Sequence, residues 1–232
     1  MRFETTVTSI IKRTHDVKSF RFPKPSAFTY KAGQFIVITL RGEKGEIRKH
    51  FTISSSPTED FIEFTKKLTE SEFSKTLDGL KVGDWARIDG PHGTFTFEGE
   101  FKKIGMISGG IGITPLRSMC RYCADMQLDT DIVVLYGNRS ENDIVFKKEL
   151  EELQKENENF KAILCVGEAK PEWTGYTGRI DALMVEREIP DYRERVFYVC
   201  GPPAMVKAMD GLLEELGVPS DQVRKENFTG YE

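Results

Sequence analysis

The chain has 232 residues, 39% hydrophobic and 30% charged side chains, and a formal net charge of −4. That length holds one large domain or two of about 100–130 residues, each able to bury its own core. The composition excludes a disordered protein, the charge balance excludes a basic nucleic-acid footprint, and apolar runs such as Phe35–Leu40 are far too short to span a bilayer.

The first hundred residues read as short strands with turn punctuation. Apolar and polar residues alternate near Val17–Phe22, Phe35–Leu40 and Thr94–Phe97, with breaks at Pro23/Pro25, Gly33, Gly42/Gly45, Gly83-Asp84 and Gly90-Pro91. Many short strands at this spacing predict an antiparallel barrel or sandwich, and one short helix is expected at Glu72–Leu77. From about residue 100 strands and helices alternate. Strands are expected at Lys103–Ser108, Asp131–Gly137, Phe160–Gly167 and Arg195–Gly201. Helices are expected at Pro115–Met126, Asn142–Glu156, Arg179–Glu188 and Pro203–Gly217, and the tail Val223–Tyr231 adds one more strand. This order predicts a parallel sheet covered on both faces. The boundary falls near Gly99–Lys102, giving a β-barrel over 1–100 and an α/β domain over 101–232.

Charge divides unevenly at that boundary. Residues 1–100 carry 16 Lys and Arg against 14 Asp and Glu (+2), and residues 101–232 carry 17 against 23 (−6). A solvated, mixed surface accounts for both values, with an acidic protein partner for the basic half as the alternative. The N-terminus has early acids and no small-residue cleavage site, so no signal peptide is expected and the compartment is read as cytoplasmic. Cys120 and Cys123 form a C-x-x-C pair without a second pair or a histidine cluster, so neither zinc nor an iron–sulfur cluster is expected. On a helix, i and i+3 share a face, and the pair reads as buried small side chains.

Three segments carry the chemistry. Gly109, Gly110 and Gly112 follow a strand and open a helix, where glycine lets backbone N–H groups approach a phosphate. Thr114 is placed as an N-cap and Pro115 at the first helical position; a tight βα turn without a ligand is the alternative. In the extended run Lys49–Ser54, Lys49, Phe51 and Ile53 share one face and His50, Thr52 and Ser54 the other. Cys200 ends a strand before Gly201-Pro202-Pro203, and ligands of open α/β sheets lie beyond strand carboxyl ends. Arg139 and Ser140 follow the second strand of that sheet; Ser140 with Asp143 also reads as a capping box.

The order of Lys49-His50-Phe51-Thr52, AGQF (32–35), DGPHGTF (89–95), GGIGITP (109–115), YGNRS (136–140) with DIVF (143–146), and CGPP (200–203) resembles the ferredoxin–NADP reductase superfamily. The resemblance covers nearly the whole chain. It implies a flavin-binding antiparallel barrel followed by an NAD(P)-binding α/β domain. It also implies a flavin-dependent NAD(P)H oxidoreductase that passes a hydride from nicotinamide to flavin and then single electrons to a separate acceptor. That acceptor is expected to be ferredoxin or the iron–sulfur component of an oxygenase. A flavin or ferric reductase, or an electron-transfer subunit, is the alternative.

FAD is expected rather than FMN, and NADPH somewhat ahead of NADH. By the same resemblance, Thr52 and Cys200 flank the reacting atoms. Lys49 meets a flavin phosphate and Phe51 covers the flavin. His50, Ile53, Ser54 and Lys66 complete that wall, and Ser74 bonds a flavin phosphate at a helix N-terminus. Phe228 or Tyr231 stacks near the flavin ring. Gly110, Gly112, Thr114, Arg139, Ser140, Gly201, Pro202 and Met205 serve the nicotinamide nucleotide. The family pattern R-x-Y-[S/T] reads K-H-F-T here, with Arg48 one residue early, and a one-residue offset turns a strand side chain to the opposite face.

Overall fold

Period-two patterning builds the first half of the chain as strands. In the computed structural model, which describes residues 1–229, these are β1 (Arg2–Thr6), β2 (Ser9–Lys12), β3 (Val17–Pro23), β4 (Phe35–Gly42), β5 (Gly45–Thr52) and β6 (Phe61–Lys67), then helix α1 (Glu72–Asp78) and β7 (Trp85–His92). They form two antiparallel sheets, ordered β1-β7-β4-β5 and β2-β3-β6, joined at an Ile53–Phe64 bridge. The β4–β5 hairpin sets Phe35 opposite Thr52 and Ile38 opposite Lys49, and Gly45 turns it with a φ of +125° that a side chain would oppose.

Thr94–Phe97 forms no strand; within it Phe97 makes a single bridge to Ala32. The rings of Phe95 and Phe97 instead pack edge-on against Tyr198, at 5.3 and 6.1 Å between centroids. Their apolar alternation serves the contact between the two halves.

The second half contains β8 (Lys103–Gly109), α2 (Ile113–Asp125), β9 (Asp131–Ser140), α3 (Lys147–Glu156), β10 (Phe160–Glu168), β11 (Tyr176–Thr177), α4 (Ala182–Glu188), β12 (Val196–Gly201), α5 (Pro203–Glu215) and β13 (Val223–Asn227). All six strands are parallel, in the order β11-β10-β9-β8-β12-β13. The chain reverses its direction of travel across the sheet on either side of β8, which opens a crevice beyond that strand's carboxyl end. Among the described residues, no helix is long and apolar enough to cross a membrane.

Three helix starts differ from the pattern. Helix α3 begins at Lys147 because Phe146 takes a left-handed φ of +61°, after a short 3₁₀ turn at Glu141–Asp143. Helix α4 begins at Ala182, where Asp181 accepts the Met184 N–H at 2.8 Å. Helix α2 begins at Ile113 after a 3₁₀ turn over Gly110–Gly112.

The barrel core is aromatic. Phe64 is fully buried and stacks on Phe51, Phe20 and Phe22 at 4.8, 5.3 and 5.9 Å. Phe64→Ala is expected to cost about 3–5 kcal/mol. Urea denaturation should show this as a lower midpoint at an unchanged slope.

Candidate active site

A cleft of about 430 Å³ lies between the two halves. One wall is Lys49, His50, Phe51 and Thr52 of β5, with Phe35 and Val37 of the neighbouring β4 and Thr65 of β6. The other is Ile111 and Thr114 beside the glycine turn, and the chain's tail from Glu226 to Thr229 closes the end. Strand β5 and the glycine turn are 60 residues apart in sequence and share one cavity.

The glycine turn is specified at two positions. Gly110 has a φ of +53° and open space where a side chain would project. At Gly112 a Cβ would lie 2.4 Å from the Cys200 carbonyl oxygen, so only glycine lets the turn rest on the end of β12. The buried Tyr136 hydroxyl donates to the Gly110 carbonyl at 2.9 Å and braces the turn. The turn leads into the N-terminus of the 13-residue helix α2, which favours an anion.

Several residues singled out in the sequence occupy other roles. Thr114 is not an N-cap: it lies inside α2 and its hydroxyl donates to the Ile111 carbonyl at 3.1 Å. Ser74 lies in the first turn of α1 but does not cap it. The cap is Ser71, and the buried Ser74 hydroxyl is tied to Thr69 and Ser71 at 3.0 and 3.1 Å. Phe51 is only 7% exposed, because Phe64 and Phe73 cover its ring at 4.8 and 5.4 Å; it offers the cleft little stacking surface. Ile53 and Ser54 are fully buried behind the cleft, with the Ser54 hydroxyl donating to Glu63 at 3.0 Å.

Cys200 is fully buried and does not line the cleft. Its backbone, not its sulfur, meets the glycine turn, and burial together with nearby Glu226 pushes the thiol well above its usual range. Met205 closes over the ends of β8 and β12, its sulfur 2.8 Å from the position a Cβ on Gly201 would take. Pro202 caps α5, and the Gly201 carbonyl accepts the Phe228 N–H at 2.9 Å, which seats Phe228 at the cleft. Tyr231 lies outside the described residues. Arg139 is exposed and its Nε donates to Glu168 at 3.1 Å. Ser140 is spent on the capping box, its hydroxyl 2.6 Å from the Asp143 carboxylate.

Two sets of groups fit the two nucleotides the motifs imply. Buried Lys66 is held down to about 8, first by burial and then by the charges of Lys49 and Lys67. A phosphate beside these lysines relieves that repulsion. At the sheet's carboxyl edge, the buried side-chain polar atoms of Ser108 and Asn138 have no hydrogen-bond partner among the described residues. Buried polar groups cost free energy until a partner is supplied, and these sit where a dinucleotide would supply one.

Glu226 was not visible as a site residue. It becomes one because β13 pairs with β12 and sets Glu226 beside Cys200. Its Oε2 is buried without a hydrogen-bond partner among the described residues, and burial raises the carboxyl to about 7. Being raised, this group's contribution to stability is complete below about pH 4.5 and is lost as pH climbs through 7. Glu226→Gln should therefore flatten the fall in stability between pH 5 and 8 and gain about 1–3 kcal/mol at pH 8. Denaturation midpoints at the two pH values check this.

Comparison with known proteins accords with this arrangement. Residues 4–97 match the oxidoreductase FAD-binding domain and residues 106–211 the oxidoreductase NAD-binding domain. The chain is 32% identical over 236 residues to the glycine betaine monooxygenase reductase subunit of Chromohalobacter salexigens, covering 98% of this chain but only 64% of that relative. It is 32% identical over 211 residues to NADH-cytochrome b5 reductase 1 of Dictyostelium discoideum, covering 88% of this chain and 74% of that one. The cytochrome b5 reductase domain of Ulva prolifera nitrate reductase superposes with a TM-score of 0.85 at 26% identity, covering 97% of both chains. With a flavin-type barrel, a nucleotide-type parallel sheet and a cleft drawn from both, the chain belongs to the ferredoxin–NADP reductase superfamily.

Proposed function

We propose that this chain is the reductase part of an electron-transfer system. It draws a hydride from NAD(P)H onto FAD and delivers single electrons to a separate acceptor, an iron–sulfur protein or oxygenase component. The observation that carries this reading is the single cleft lined by β5 on one side and the glycine turn on the other. Its likeness to a monooxygenase reductase subunit supports the choice of acceptor, although the chain spans less than two thirds of that relative. Four free, buried cysteines support a reducing compartment, the cytoplasm.

Bound FAD supplies the step the protein lacks, accepting electrons in a pair and releasing them singly. The residues bind and orient. Lys49 and Lys66 meet phosphate charge, Thr52 lines the cleft, and the glycine turn offers N–H groups to the pyrophosphate. Phe228 lines the end of the cleft and would have to yield to nicotinamide there. No acid–base triad is needed, since a hydride moves without prior proton abstraction.

Anaerobic titration of the purified protein tests the reading. A bound yellow chromophore should bleach on addition of NADH or NADPH and recover with an oxidised iron–sulfur protein. A preparation that cannot take up flavin, or a flavin that stays oxidised, would overturn it. Recovery with free flavin or ferric iron alone would move the assignment to a small-molecule reductase.

Cofactor preference is set at the ends of β9 and β10. A 2′-phosphate must compete with Glu168 for Arg139, so the arginine favours NADPH less than its bare charge implies. Glu168→Gln should raise the NADPH-to-NADH ratio of kcat/KM about two- to fivefold, the range for an exposed pair. Arg139→Ala should lower it.

A further inference from the structure

Helix α2 is attached to both walls of the cleft. Ile111, in the turn that leads into it, and Thr114, in its first turn, line the cavity. Farther along the helix, its side chains bond the segment that continues β5 beyond Thr52. Arg117 Nη1 donates to the Ser54 carbonyl at 3.0 Å, and the Ser118 hydroxyl donates to the Ser55 carbonyl at 2.6 Å. Asp125 accepts the Thr58 hydroxyl. The peptide that carries the flavin wall is thus bolted to the helix that carries the dinucleotide turn.

Arg117 is itself held. Its Nε and Nη2 lie 2.9 and 2.8 Å from a Glu149 oxygen of α3, and its outer nitrogens also meet Glu59. The other Glu149 oxygen takes Arg13 Nη1 at 2.5 Å. Arg13, from the turn after β2, also pairs with the fully buried Glu63 at 3.0 Å. The Phe146 ring packs on both guanidinium groups, at 4.7 Å from Arg13 and 5.8 Å from Arg117, and its left-handed backbone brings it there. Burial pushes the Glu149 carboxyl up, but Arg117 and Arg13 outweigh it and hold the group ionised. The Arg117 side chain is 5% exposed, so bulk salt screens the cluster weakly.

We propose that Arg117, Glu149 and Arg13 form a part-buried ionic clasp around Phe146 that fixes the spacing of the two cleft walls. Arg117 and Glu149 are then positioning residues for hydride transfer. The proposal rests on the functional reading above. Its physical basis is that the two reacting rings are held by different halves of the chain, while the rate falls steeply with small misplacement.

The test uses flavin-loaded Glu149→Gln and Arg117→Met proteins and two readouts. The first needs no nicotinamide. Amide hydrogen exchange should accelerate at least tenfold in residues 54–59 and 113–118, with β9 and β10 unchanged. The second is anaerobic stopped-flow reduction by NADH. The limiting reduction rate should fall at least tenfold, while the NADH Kd and the flavin content change less than threefold. A purely structural role predicts lost flavin with a normal rate in the protein that retains it, and that result would overturn the proposal. Unchanged exchange in Glu149→Gln would do the same. Glu149→Gln keeps the side chain's size, so it decides the matter if Arg117→Met does not fold. Wild-type protein whose flavin NADH cannot reduce would count against the functional reading, and the exchange measurement would still decide the clasp.

Discussion

One close approach governs the molecule: the Cys200 carbonyl occupies the space where a side chain on Gly112 would sit. It brings the end of β12 into backbone contact with the turn that opens α2. Tyr136 then braces that turn from β9, and the Gly201 carbonyl anchors the tail through the Phe228 N–H. The floor of the cleft, its tail wall and the start of α2 are therefore tied together through backbone groups. A methyl group at Gly112 would have to displace backbone on the other side, where no flexible side chain can give way.

Stability and arrangement come from different residues. Stability comes from apolar burial: the Phe64-centred stack in the barrel and the Ile, Val and Leu layers on both faces of the parallel sheet. The buried ions contribute differently. Taking Glu63 and Arg117 out of water costs several kcal/mol each, and complete pairing does little more than offset it. Removing one partner leaves a charge stranded at a cost of about 3–5 kcal/mol. Such a network selects one arrangement of the two halves more than it deepens the fold. Glu226 is the contrast, a cleft carboxyl whose Oε2 lacks a hydrogen-bond partner among the described residues and whose burial is left uncompensated. Uncompensated burial of that kind is characteristic of functional sites.

The strand pattern was legible where a strand has one neighbour face to satisfy. Val17–Phe22 and Phe35–Leu40 lie within β3 and β4, and the four strand–helix alternations of the second half lie close to where periodicity puts them. Legibility failed where side chains answer to another part of the chain. Thr94–Phe97 alternates like a strand because its rings pack on Tyr198, 102 residues from Thr96. Phe146 reads as helical from its apolar spacing, yet it turns left-handed and meets two arginines. Thr114 looks like a cap from residue type alone, but its helix starts one residue earlier.

For the site, sequence alone determined the ingredients. The glycine turn, the Lys49–Thr52 run and the CGPP end declare their chemistry because phosphate approach and strand ends demand particular residue types at short spacing. Only the tertiary structure decided which atoms face the cleft. It set Glu226 beside Cys200 by pairing β13 with β12, buried the Cys200 sulfur, committed most of Phe51 to the barrel core, and joined Arg13, Arg117 and Glu149 across more than 130 residues. Local chemistry is written in neighbouring residues, whereas burial and ion pairing are set by which surfaces meet, and the meeting partners here lie too far apart in the chain for any local pattern to record them.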